Sequence, residues 1–115
     1  MSIKRIEAII RPEMLEPLRV QLETVGYPGM MVTELEGHGK QRGLDQQWRG
    51  IQYKSYFLPK VRVEIVASDK AAKKIIDTII DVCRSGKVGD GKIFVSDIKD
   101  AIRIRTKEKG EKAVN

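Results

Sequence analysis

Residues 61–69 read Val61-Arg62-Val63-Glu64-Ile65-Val66-Ala67-Ser68-Asp69. Apolar and charged residues alternate at the start of this stretch, which predicts a strand with one buried face over residues 56–67. The pair Ser68-Asp69 is typical of a helix N-cap, so a helix is predicted to follow directly. Its apolar residues recur at helical spacing and form one face. They are Ala72, Ile75, Ile76, Ile79, Ile80 and Cys83.

The first part of the chain also predicts a strand followed by a helix. A strand is predicted over Ile3–Ile10, because this stretch is rich in β-branched residues. A helix is predicted to begin near Glu13 or Met14 and to end at residues 26–29, which contain two glycines and a proline. A second strand is predicted over residues 30–36.

The part of the chain after residue 83 holds a Gly-rich loop over 84–92, a short strand over 93–95 and an alternating stretch, 102–105, predicted as a last strand. The whole order is β-α-β-(long loop)-β-α-β. Two such split βαβ halves predict an α+β, ferredoxin-like βαββαβ sandwich with both helices on one face of the sheet. The strands that carry Ala8, Val32 and Val63 are apolar enough to favour a covered second face, hence a homo-oligomer, although cover by the helices alone would account for some of these residues.

Composition limits the class of protein. A chain of 115 residues with 41% hydrophobic and 33% charged residues fits one folded domain. The net charge of +6 favours anionic partners, which include nucleic acid, phosphates and acidic proteins. The lone cysteine, Cys83, is predicted to be a small buried residue, and a single cysteine predicts a reduced compartment. No stretch is typical of a signal peptide or a membrane span, so a cytoplasmic protein is expected.

Two segments carry the chemistry. Gly86, Gly91 and Lys92 match the spacing of a P-loop, but Ile93 replaces the Ser or Thr that holds magnesium, and a helix precedes the motif instead of a strand. Glycines still allow backbone N–H groups to converge on an anion, although a plain Gly-rich turn remains an alternative. Arg103 and Arg105 on a strand would form a fork for a polyphosphate, or else a solvated edge.

The long segment 37–55 has four glycines, many amides and cations, and no sustained period. Its Trp48, Arg49 and Tyr53 are residue types enriched at binding surfaces, so a contact loop is predicted. A disordered insertion or a hairpin tip without function also fits the composition.

The chain resembles the PII family of nitrogen-regulatory signal-transduction proteins along nearly its whole length. The resemblance rests on the joint order and spacing of several motifs. These are Ile6-Glu7-Ala8-Ile9-Ile10-Arg11-Pro12, Gly29-Met30, Val32-Thr33-Glu34, Gly37-x-Gly39-Lys40-Gln41-x-Gly43, Arg49-Gly50-x-x-Tyr53, Phe57-Leu58-Pro59-Lys60-Val61, Gly86-x-x-Gly89-Asp90-Gly91-Lys92-Ile93-Phe94-Val95 and Ile102-Arg103-Ile104-Arg105-Thr106.

The resemblance implies a single PII-like domain over 1–115, with a T-loop at 37–55, a phosphate loop at 84–92 and a C-terminal segment at 102–115. It implies a homotrimer that binds ATP or ADP between subunits, with the arginine pair reaching the nucleotide from the neighbouring subunit. The implied nucleotide-binding residues are Gly39, Lys40, Glu64, Gly89, Asp90, Gly91, Lys92, Arg103 and Arg105.

The resemblance also implies that 2-oxoglutarate binds at the base of the T-loop when Mg-ATP is present. Gln41 would coordinate Mg²⁺, and Gln41, Gly43 and Lys60 would bind 2-oxoglutarate. Arg49 matches a residue that contacts an ammonium transporter. Tyr53 matches a tyrosine that is uridylylated or adenylylated in some members, and a target-contact tyrosine that is never modified is an equal alternative.

The resulting hypothesis is a regulator, not an enzyme, that senses ATP/ADP and 2-oxoglutarate and controls nitrogen-metabolism proteins through its T-loop. Ammonium transporter and glutamine synthetase or its regulators are candidate targets, and a membrane is reached only through a transporter. The alternatives are a PII-like regulator of a different target and a basic ferredoxin-like module that binds nucleic acid. Direct nucleic-acid binding is not expected, because no RNP-like motif is present. Met31, Lys40 and Trp48 depart from residues common in the family.

Overall fold

The computed structural model describes residues 2–27, 29–38, 45–48, 51–54 and 57–114. Within these residues, six strands and three helices follow one another, with a 3-10 turn at Pro12–Met14. Their bounds are β1 Ile3–Ile10, α1 Leu15–Thr24, β2 Met31–His38, β3 Asp45–Trp48, β4 Ile51–Lys54, β5 Phe57–Ser68, α2 Asp69–Cys83, β6 Lys92–Ile98 and α3 Glu111–Val114.

Four of the strands form one antiparallel sheet in the order β2-β5-β1-β6. In its centre, Ile6 of β1 lies opposite Ile65 of β5 on one side and Val95 of β6 on the other. The strands that follow the two long helices, β2 and β6, are therefore the two edge strands, as two interleaved βαβ units require. The ferredoxin-like prediction is confirmed.

The core lies between this sheet and the two long helices. Leu18 and Leu22 of α1 and Ile75 and Ile79 of α2 are at most 2% exposed. Each such side chain contributes about 1.5–3 kcal/mol of transfer free energy when it is fully buried. The sheet residues that pack in the same core are Ile6, Ala8, Ile10, Val61, Val63 and Ile65.

The helix α2 begins where the sequence predicts. The Ser68 side chain accepts a hydrogen bond from the Ala71 backbone N–H at 3.3 Å, which caps the first turn. The predicted apolar face is rotated slightly, since Ile80 is 43% exposed and Thr78 is buried instead. Thr78 can be buried because its hydroxyl donates to the Lys74 carbonyl at 2.7 Å.

The sheet face without helices is less apolar at its centre than the sequence predicts. Ala8 and Val63 lie under the helices, and Val32 points to the same face because it is paired with Val63. These residues therefore do not make the second face apolar, and that argument for a covered face was wrong. The helix-free face instead carries Glu7 beside Glu64 at its centre.

Two segments predicted from the sequence take another form. Within 37–55, β2 continues through His38, and β3 pairs with β4 in a separate two-stranded sheet. The predicted last strand, 102–105, is wrong. Arg103 N–H donates to the Glu108 carbonyl at 2.9 Å, and Gly110 N–H to the Ala101 carbonyl at 2.9 Å, so this segment closes on itself and pairs with no strand of the sheet.

Candidate functional site

The Gly-rich loop, residues 84–91, joins the end of α2 to the start of β6. Gly86, Gly89 and Gly91 have φ angles of 84°, 104° and 97°, which side chains rarely allow. At Gly91 the loop also runs directly against β1, because a Cβ there would lie 1.6 Å from the Ile9 carbonyl oxygen. Glycine is therefore required at this position by both its backbone angle and its surroundings.

Asp90 organises the loop from within. Its Oδ2 accepts hydrogen bonds from the backbone N–H groups of Ser85 at 2.8 Å and Gly86 at 2.9 Å. Its Oδ1 accepts from the Ser85 hydroxyl and from the Arg11 guanidinium. The Ser85 hydroxyl, together with these N–H groups and Arg11, holds the pKa of the Asp90 carboxyl well below its usual range. Asp90 is thus an anion at any physiological pH.

Two cations from other elements reach the loop. Arg11, directly after β1, also donates to the Val88 carbonyl at 2.9 Å. Lys60 of β5 donates through Nζ to the Gly89 carbonyl at 3.0 Å. Burial, and next the nearby charge of Arg11, lower the pKa of Lys60. The structure therefore brings Lys60, predicted for a carboxylate, next to the glycine and aspartate predicted for phosphates.

Lys92 lies at the end of this loop, whereas Glu64 lies further along the sheet, opposite Glu7. Lys92 begins β6 opposite Ile9 and is exposed. Glu64 lies on the helix-free face, where its carboxylate is 4.0 Å from Arg5 Nε. Four of the predicted residues, Gly89, Asp90, Gly91 and Lys92, are consecutive in the chain and stand at the same end of the sheet as Lys60.

Arg103 and Arg105 lie at the other end of the sheet. They follow Ile98, which pairs with Ile3, whereas the Gly-rich loop enters β6 beside Ile9. Seven residues of β6 span about 20 Å. The α3 helix that follows packs on β5, and Val114 borders a cavity with Ser68 at this same end. One chain therefore does not bring the arginine pair and the Gly-rich loop together.

Comparison with known sequences identifies the family of the chain. The family model described as "Nitrogen regulatory protein P-II" matches residues 3–108. The chain belongs to the P-II family of nitrogen regulatory proteins. Nitrogen regulatory protein P-II of Pasteurella multocida (strain Pm70) is 47% identical over 112 residues, which are 97% of this chain and 100% of that protein. P-II 2 of Methanothermobacter thermautotrophicus is 46% identical over 97% of each chain.

Solved structures of P-II proteins share the fold. A crystal structure of Arabidopsis thaliana PII bound to citrate has a TM-score of 0.78 and 35% identity, over 98% of this chain and 90% of that one. The structure of B. subtilis GlnK has a TM-score of 0.80 and 30% identity, over 98% of this chain and 99% of that one.

Several residues that the P-II resemblance implicates lie outside the described part of the chain. Tyr53 is not one of them, because it lies in β4 opposite Gln46. The residues outside the described part are Gly39, Lys40, Gln41, Gly43 and Arg49. Among the residues that the structure does describe, no group of three or more His, Cys, Asp and Glu side chains could hold a metal ion. In the same residues, no helix is long and apolar enough to cross a membrane.

Reasoning from the sequence missed two residues of this P-II site. The sequence places Arg11 only within a motif and predicts no role for Ser85. The Ser85 contact to Asp90 has a local signal, since both are turn-forming residue types and they lie five positions apart in a Gly-rich loop. Arg11 has no such signal, because it is separated from Asp90 by 79 positions.

Proposed function

We propose that this P-II protein senses adenine nucleotide, as ATP or ADP, together with 2-oxoglutarate. The observation that carries the proposal is the contact of Lys60 with Gly89, since it joins a lysine suited to a carboxylate to a loop suited to phosphates. The three left-handed glycines and the exposed Lys92 are the features that favour a polyphosphate, because anions bind where backbone N–H groups and cations converge.

In this proposal the nucleotide lies between two copies of the chain in a homotrimer. Gly89, Gly91 and Lys92 bind the phosphates from one copy, and Arg103 and Arg105 reach them from the next. The separation of these two groups along the sheet supports the arrangement, because a second copy is needed to unite them. Asp90 acts by shaping the loop. Gly39, Lys40 and Glu64 complete the nucleotide site.

The second ligand, 2-oxoglutarate, binds at Lys60, with Gly43 and Gln41 at the base of the T-loop. An amide oxygen such as that of Gln41 suits Mg²⁺, which takes its remaining ligands from phosphates and water. The relative from Arabidopsis was solved with citrate, another polycarboxylate, which supports carboxylate binding in this fold.

The output of the sensor is contact with other proteins. The T-loop, with Arg49 and Tyr53, docks on an ammonium transporter, on glutamine synthetase or on its regulators, and Tyr53 is the residue available for modification. The protein has no catalytic role of its own, acts in the cytoplasm and reaches a membrane only through a transporter.

Titration calorimetry tests the proposal. ATP should bind the purified protein, and 2-oxoglutarate should give heat only after Mg-ATP is present. In Lys60→Gln the 2-oxoglutarate heat should disappear while ATP still binds. The matched control is Lys73→Gln, a lysine on the exposed side of α2 whose partner is Asp77. Lack of ATP binding, or of 2-oxoglutarate binding with Mg-ATP present, contradicts the proposal.

Capture from a cell lysate distinguishes between targets. The protein is immobilised and exposed to lysate with ATP, with ADP, and with Mg-ATP plus 2-oxoglutarate. We expect at least one nitrogen-metabolism protein whose capture changes between these three conditions. A set of captured proteins unrelated to nitrogen metabolism supports a P-II-like regulator of a different target.

A further inference from the structure

We propose that Arg11 is a positioning residue that holds the Gly-rich loop in the shape that binds phosphate. The inference rests on the proposed function, because it assumes that the Gly-rich loop binds the nucleotide. Arg11 donates to the loop from 79 positions away in the chain, and its side chain is 18% exposed.

The base of the Arg11 side chain is fixed. Ile10, the residue before it, is 2% exposed and is paired with Val61 in the last pair between the two central strands. Pro12, the residue after it, restricts the Arg11 backbone to extended angles, and its φ and ψ are −67° and 142°. The Arg11 carbonyl also accepts the Met14 N–H at 3.0 Å in the 3-10 turn. The guanidinium therefore extends from a rigid point of the core.

The guanidinium contacts the loop at three places along its length. One terminal nitrogen, Nη1, donates to the Ser85 hydroxyl at 3.3 Å and to Asp90, near the two ends of the loop. The other, Nη2, donates to the Val88 carbonyl at 2.9 Å, near its middle. Arg11 thereby ties the start, the middle and the end of the loop to β1.

These contacts need the fork of an arginine. A lysine could pair with Asp90 through its single nitrogen, but it could not also reach Val88 in the fixed geometry of two separate N–H groups. The guanidinium donates to protein atoms of the loop, so its role is to set the positions of Gly89 and Gly91 and not to bind the phosphates itself. Loss of Arg11 should leave a folded core with a loop that samples more conformations.

Three variants and two measurements test the role. The variants are Arg11→Met, Arg11→Lys and the control Arg19→Met. Arg19 pairs with Glu16 and Glu23 on the exposed side of α1 and contacts no part of the loop through these bonds. ATP affinity is measured by calorimetry, and amide hydrogen exchange of Ser85 and Gly86 is measured without nucleotide.

In Arg11→Met we expect ATP affinity to fall about tenfold, as for the loss of a charged hydrogen-bonded group, and exchange of both amides to rise about tenfold. Arg11→Lys should give intermediate values in both measurements. Arg19→Met should match the unmodified protein within about twofold, since its exposed ion pairs contribute little.

Each result decides the inference. Unchanged ATP affinity in Arg11→Met overturns it, even if exchange is faster, because the loop shape would then not matter for binding. If Arg11→Met does not fold, Arg11→Lys decides, and an affinity equal to that of the unmodified protein overturns the inference. If the unmodified protein binds no ATP, the proposed function fails, and the exchange measurement alone decides whether Arg11 holds the loop.

Discussion

Cys83 is held as a neutral thiol by its surroundings. It ends α2, is 7% exposed and borders an apolar cavity with Ile10 and Ile79. Burial, and next the negative charge of Asp90, raise the pKa of the Cys83 thiol to about 11. The sequence-based interpretation of Cys83 as a small buried residue is confirmed. With this raised pKa, the Cys83 side chain is almost entirely the neutral thiol at neutral pH.

The reactivity of this thiol should follow its pKa. Since the pKa is raised from 9.0 to about 11, the thiolate fraction at pH 8 is about a hundredfold lower than in the unfolded chain. A disulfide reagent with a coloured product should therefore modify Cys83 at least about a hundredfold more slowly in the native protein than in guanidinium chloride.

The same shift has a defined sign for stability. The neutral thiol is the favoured form in the fold, so its contribution to the free energy of unfolding is complete below pH 9.0 and decreases as pH rises through about 11.

The chain has one cysteine, so the reaction of Cys83 with the disulfide reagent has a single phase, and the unfolded sample is an internal control. Complete modification of the native protein at pH 8 at the rate of the unfolded chain contradicts this account.

At the scale of elements, the Gly-rich loop depends on its crossing of β1. Gly91 meets the Ile9 carbonyl so closely that a methyl group would overlap a backbone atom which cannot move without breaking the ladder between β1 and β6. A side chain at φ 97° adds strain of its own. Backbone contact, and not side-chain packing, therefore sets where the loop enters the sheet.

We expect Gly91→Ala to lower the free energy of unfolding by more than about 2 kcal/mol. The change is measured as the shift in thermal midpoint at one fixed protein concentration. The control is Gly29→Ala, where a Cβ would meet no atom within 4 Å. It should change stability by less than about 0.5 kcal/mol. Equal midpoints for the two variants would show that the loop can move away from β1.

The sequence predicts these elements to different degrees. Strand β1 and helix α2 follow from clear periods, because one buried face repeats over eight or more residues. For β3 and β4 the sequence indicates no bounds and offers a hairpin tip only as an alternative, since four residues such as Ile51–Lys54 are too few to establish a period. The segment 102–105 alternates like a strand, yet it forms a turn that bonds to residues 108–110 and not to the sheet. Ile104 is accordingly 96% exposed.

The residues of the candidate site also differ in how far the sequence predicts them. Glycines and lysines of the loop could be predicted from the motif, because they are local in the chain. The bonds from Arg11 and Lys60 to the loop depend on how β1, β5 and β6 stand together, and no local pattern encodes them. Side chains that reach a loop from distant strands are therefore what the structure adds.

At the scale of the whole molecule, the helix-free face has features suited to another copy of the chain. A row across this face runs Met31, Glu64, Glu7 and Phe94. Met31 and Phe94, on the two edge strands, are 56% and 54% exposed. The carboxylates between them face Arg5 and Arg62 at 4.0 and 3.7 Å. A second copy of the chain that covered this face would bury the apolar Met31 and Phe94, and the carboxylates between them already have arginine partners.

A nucleotide site divided between neighbouring copies can be tested by mixing two inactive variants. Lys92→Ala removes the cation of the loop, and Arg105→Ala removes an exposed arginine at the other end of the sheet. Each variant alone should bind ATP much more weakly. After joint refolding in equal amounts, about one quarter of the sites should regain full affinity, because each site takes its two groups from adjacent copies at random. Calorimetric stoichiometry measures this fraction, and a mixture with no strong sites would place both groups in one chain and contradict the shared site.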